Sequence, residues 1–103
     1  MNTEDLVNTI KARFDHSVAK KVLKEKYEAK MLFAYNGGMW RASPELITLL
    51  SACANTYDDV VILDLYENPI MVNVTDLASL ALERWQEQMN GWKAEYNVIS
   101  EKR

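Results

Sequence analysis

The chain has 103 residues, a length that suits one domain with a modest core. Hydrophobic residues make up 49% and charged residues 26%, an ordinary globular balance that argues against disorder, and a net charge of −3 does not mark the whole chain as a nucleic-acid binder. Cys53 is the single cysteine and His16 the single histidine, which excludes an internal disulfide, a Cys-rich or multi-histidine metal site and a catalytic triad within one chain.

Residues 1–5 are polar and acidic, without the basic start and apolar stretch of a signal peptide. No apolar run approaches the ~20 residues that cross a membrane. The expected setting is therefore cytoplasmic, with no membrane partner. Charge is unevenly spread. Residues 11–30 hold seven basic and three acidic side chains, a net of +4, while the remainder holds five basic and twelve acidic, a net of −7. Such polarity steers association and orients subunits.

The first region, residues 1–29, reads as helical. Thr3 is placed to cap a helix with Glu4 and Asp5 in its first turn and Leu6, Val7, Ile10 and Phe14 as its apolar stripe. Asp15 or Ser17 is placed to cap a second run in which Val18, Val22 and Leu23 lie among lysines. The period then changes. Residues 31–35 and 39–42 read as two strands, and Asn36-Gly37 between them is a strong signal for a type I′ hairpin turn. Ser43, Pro44 and Glu45 follow as N-cap, first-turn proline and first-turn acid of a helix that runs through Leu46, Ile47, Leu49, Leu50 and Cys53 toward Asn55. This hairpin–helix unit occupies residues 30–55.

A second unit follows in residues 60–103. Residues 60–66 form a dense β-branched run, the pattern of a central strand buried on both faces. Residues 67–69 turn the chain, residues 70–72 return it, and Asn73 or Thr75 caps the last helix. The two units match without gaps at an offset of 31: Leu32 with Leu63, Tyr35 with Tyr66, Leu46 with Leu77, and Leu49 with Leu80. Gly38 falls opposite Pro69, so the two turns differ. Shared hydrophobic patterning and true duplication both account for the match. The expected fold is α+β: tandem hairpin–helix units forming one four-stranded antiparallel sheet, N-terminal helices and a long C-terminal helix.

Candidate chemistry is sparse. Asp58, Asp59, Asp64 and Glu67 are the only carboxylate grouping of interest, but their spacing matches no calcium loop, and they read as a solvated loop and strand edge. Gly37 and Gly38 sit in a hairpin, not before a helix, so no phosphate loop exists. Cys53 reads as a small buried hydrophobe and His16 as a solvated or capping residue. No catalytic residue, metal site or cofactor is expected, and the chain reads as a non-enzyme. Lys20, Lys21 and Lys24, with Tyr35, Trp40 and Arg41 on the first hairpin, could contact nucleic acid if those rings are exposed; hairpin aromatics also pack on one another and on the core.

The last helix carries the most information. Ala78, Trp85, Trp92 and Ile99 recur every seven residues, interleaved with Leu82, Met89 and Tyr96, which is the repeat of a helix packed lengthwise on another helix. It is longer than a small sheet needs for cover. Its distal part either packs on the N-terminal helices or meets a partner, and Trp85, Met89, Trp92, Tyr96 and Ile99 are the candidate partner interface. Gly91 weakens this helix and marks either a close approach or a kink between its two parts.

Residues 63–72 (LDLYENPIMV) and 85–96 (WQEQMNGWKAEY) resemble small proteins of large contractile-tailed bacteriophages, including cyanophages, over about residues 30–97. The resemblance implies a virus-encoded virion or assembly component, or a small modulator of a host protein. It carries over no functional residue. Together these readings point to a protein-interaction module whose partner is itself, a phage protein or a host protein, with a nucleic-acid-binding accessory protein as the alternative.

Overall fold

The computed structural model describes residues 3–101. The elements are α1 (Thr3–Lys30), β1 (Leu32–Tyr35), β2 (Gly38–Arg41), α2 (Pro44–Ala54), β3 (Asp59–Leu63), β4 (Pro69–Asn73) and α3 (Val74–Glu101). The α+β class, the N-terminal helical region and the long C-terminal helix are as expected. The single four-stranded sheet is not. β1 pairs only with β2 and β3 only with β4, in two separate antiparallel ribbons.

The two expected N-terminal helices are one. No glycine or proline interrupts residues 3–30, and Asp15 and Ser17 sit mid-helix at a modest propensity cost rather than as caps. Thr3 already lies inside the helix. The first hairpin turns through Asn36 (φ 49°) and Gly37 (φ 80°), as a type I′ turn requires. Ser43 caps α2, its hydroxyl accepting from the Leu46 N–H at 3.2 Å, and Pro44 fills the first turn. Asn73 caps α3, accepting from the Asp76 N–H at 3.0 Å, so β4 passes directly into the helix.

The ribbons fail to merge because a turn, not a strand, meets the free edge of β2. The Asp64 carboxylate accepts from the Met39 N–H at 3.1 Å, and the Met39 carbonyl accepts from the Leu65 N–H at 2.8 Å. The same carboxylate accepts from the N–H groups of Tyr66 (3.0 Å) and Asn68 (2.9 Å). Asp64 is therefore buried and satisfied, not part of a solvated strand edge. These bonds hold its carboxyl below the usual range, the Asn68 N–H contributing most. A methyl group at Gly38 would meet the end of the Ile70 side chain, which would have to turn aside, and would crowd the Asp64 carboxylate and the Trp40 indole at 3.2 Å.

The offset of 31 survives for β4 and α3, which fall where β2 and α2 predict, but fails for β3. Five residues, not two, connect the second hairpin, which moves β3 toward the N-terminus. The core lies between the ribbons and α2 with the first half of α3. Trp40, Leu50, Val72, Val74 and Leu77 are buried together, with Phe33, Tyr35, Leu46, Cys53, Val60, Ile62, Ile70 and Ala78 packed around them. The run at residues 60–63 is covered on one face only. Val61 and Leu63 point outward, 58% and 60% exposed, and Met71 lies opposite Val61. A two-stranded ribbon has one core-facing side, so β-branched density alone does not imply burial on both.

α1 and α3 lie antiparallel. At one end Arg84 reaches the Lys30 carbonyl, and at the other Ile99 lies with Ala19 and Val22. Each helix runs about 42 Å at ~1.5 Å per residue. The molecule accordingly measures 65 × 23 × 19 Å, a compact head with a helical tail. Residues 3–14 are all exposed.

Candidate functional site

Among the described residues, no group of three or more His, Cys, Asp or Glu side chains converges to hold a metal ion, and no helix is long and apolar enough to cross a membrane. His16 is half-buried in mid-helix, so it is neither a cap nor fully solvated. Cys53 is half-buried against the core.

The tail holds the most organised surface. Tyr27 of α1 is buried, and its ring stacks on Trp92 of α3, 6.1 Å between centroids and 9° from parallel. Gly91 makes room for it: a methyl group there would lie 3.1 Å from the Tyr27 ring and hydroxyl. Gly91 is thus a point of close approach. The Tyr27 hydroxyl donates to Glu95 Oε1 at 2.7 Å, and Lys26 Nζ donates to the same oxygen at 2.6 Å. The Lys26 ammonium first, and then the Tyr27 hydroxyl, hold the Glu95 carboxyl below its ordinary range. In return Glu95 raises both Lys26 and Tyr27.

Beside this stack an open groove of about 370 Å³ runs between the helices. Leu23, Trp92 and Tyr96 line it, together with Lys20, Lys21 and Lys24. Lys93 lies over the Tyr96 ring, 5.7 Å from its centroid, and adds a further positive charge. The far side of the helix pair carries a second groove, lined by Val18, Val22, Leu23 and Ile99 with Asp15, Lys26 and Glu95.

The structure therefore regroups the residues that sequence reasoning singled out. Lys20, Lys21 and Lys24, assigned to nucleic acid, share a groove with Trp92 and Tyr96, assigned to a partner protein. Ile99 belongs to the opposite groove, while Trp85 and Met89 are half-buried and line neither. The hairpin aromatics are not on an exposed face, which removes them as a base-stacking platform. Trp40 is 2% exposed and its Nε1–H donates to the Tyr35 carbonyl at 2.9 Å. Tyr35 packs against the core, its hydroxyl accepting from the Asn73 N–H at 3.4 Å. Arg41 alone of that group is exposed. Sequence reasoning missed Leu23 and Tyr27 as the α1 half of the site. Their spacing of four residues, with Met31 four further on and also buried, was the available signal.

No protein-family model matches this chain, and neither the curated proteins nor the solved structures contain a significant match to it.

Proposed function

We propose that the protein is a non-enzymatic interaction module that binds an acidic, amphipathic segment of a partner protein in the groove between α1 and α3. One observation carries this reading: an apolar floor of Leu23, Trp92 and Tyr96 lies among three exposed lysines drawn from the most basic stretch of the chain. Aromatic floors with cationic rims suit a helix that presents apolar residues inward and carboxylates outward. The resemblance of residues 30–97 to proteins of contractile-tailed bacteriophages supplies the setting. The module acts in the host cytoplasm, as a particle or assembly component or as a modulator of a host or viral protein.

Nucleic acid is the competing occupant for the same lysines. It is disfavoured because one face of Trp92 is already taken by Tyr27, Trp40 is buried, and the rest of the chain carries −7. The test follows tryptophan fluorescence while titrating two synthetic helical peptides with the same apolar stripe, one acidic and one basic, and a single-stranded oligonucleotide. The acidic peptide is expected to bind, and Lys20→Glu with Lys21→Glu to abolish that binding. A stronger response to the oligonucleotide, weakening steeply with salt, would replace this reading with the nucleic-acid one.

A further inference from the structure

Among the described residues, none covers the first three turns of α1. Leu6, Val7, Ile10 and Phe14 form one apolar stripe there, and Phe14 is 66% exposed. An isolated helix of about twelve residues is marginal in water, so this segment depends on packing to persist. We propose that residues 3–14 pair with the same segment of a second copy of this chain, antiparallel about a two-fold axis between residues 8 and 9.

The charge order selects both the occupant and the direction. Glu4 and Asp5 open the segment, and Lys11 and Arg13 close it. The segment is thus complementary to its own reverse. In an antiparallel helix pair, Thr3, Val7, Ile10 and Phe14 take the seam positions. Val7 then meets the second copy's Ile10, and Thr3 meets its Phe14. The flanking positions bring Glu4 beside Lys11 on one side of the seam. On the other, Leu6 lies under the aliphatic stem of Arg13. Each contact occurs twice by symmetry. A parallel pair would instead set Leu6 beside Lys11, leave Glu4 without a basic partner, and align two helix dipoles unfavourably. The arrangement leaves both lysine-rimmed grooves open. It sets the two copies of Lys20 about 35 Å apart along the common axis at ~1.5 Å per residue. Such a dimer would engage a repeated partner at two points. The inference does not depend on what fills the groove.

Three measurements test it. Light scattering of the full chain over a rising concentration series is expected to show the mass doubling. Ile10→Asp is expected to return it to a single-chain mass, with the near-ultraviolet signal of buried Trp40 unchanged, because residue 10 lies outside the core. For direction, Val7→Cys and Ile10→Cys are each made in a Cys53→Ala background and oxidised. The antiparallel pair predicts a cross-linked dimer from the mixture of the two variants and little from either alone. A single-chain mass at every concentration would overturn the proposal. So would a dimer indifferent to Ile10→Asp, or efficient cross-linking of Val7→Cys with itself.

Discussion

The Tyr27 ring stacks in an offset, near-parallel arrangement with Trp92 and packs against Gly91, and these three residues join α1 to α3. It explains why a helix-weakening glycine sits in the middle of a 28-residue helix. At an open mid-helix site, Gly→Ala stabilises by about 1 kcal/mol. At Gly91 the added methyl meets a ring held on its other sides by Trp92 and Glu95. Gly91→Ala should therefore gain nothing in urea unfolding, and Gly91→Leu should lose the tail contact, seen as a shift in Trp92 fluorescence. A full 1 kcal/mol gain in Gly91→Ala would mean that the ring moves aside freely.

The ion pair beneath the stack sets an acid limit. Glu95 is depressed by Lys26 and Tyr27, and Asp64 by the backbone donors of its turn. A depressed carboxyl contributes stability that is complete above its unfolded value of about 4 and is lost as pH falls through its folded value. Thermal stability should thus hold from neutrality down to about pH 5 and decline below about pH 4. Glu95→Gln should flatten the tail's share of that decline and Asp64→Asn the head's. At the alkaline end, Lys26 and Tyr27 are both raised. Their contributions are complete below their unfolded values, near 10, and fade as pH rises through the folded ones.

Trp40 belongs to the core, so its removal should damage stability and not binding. Trp40→Ala is expected to cost about 3–5 kcal/mol in denaturant unfolding, the range for a large buried aromatic. Trp40→Phe should fold and leave groove binding unchanged. Loss of ligand binding in a folded Trp40→Phe protein would return the first hairpin to the functional surface.

The outward face of the second ribbon should be permissive. Val61→Thr and Met71→Thr should each change stability by no more than about 0.5 kcal/mol, the usual effect at exposed positions. Val72→Ala, one residue from Met71 but facing the core, should cost several times more. Equal penalties at positions 71 and 72 would show that both faces are covered in solution.

Much of the fold was legible in local sequence. Asn36-Gly37 specified the first turn, Ser43-Pro44 the start of α2, and the seven-residue repeat announced that α3 packs along another helix. What was not legible was long-range. Residues 60–66 look like one buried strand, yet Asp64 leaves the ladder to bind the backbone of Met39, twenty-five positions earlier, and this keeps the ribbons apart. The candidate site was half visible. Trp92 and Tyr96 stood out by residue type, and the lysines by charge. Their meeting depends on the antiparallel return of α3 along α1, which no local pattern encodes. Tyr27 was hidden among lysines and glutamates, where a single aromatic makes a weak stripe.

The central claim is that the lysine-rimmed groove receives an acidic segment of another protein. The most direct measurement places a photo-activatable side chain at Lys21, at the groove, and at Thr48, exposed on α2, and cross-links both proteins in infected or expressing cells. The Lys21 probe should yield one dominant protein adduct, mapped to an acidic amphipathic stretch, absent from the Thr48 control and lost on Lys20→Glu with Lys24→Glu. A nucleic-acid adduct at position 21, or the same adducts from both positions, would contradict the claim.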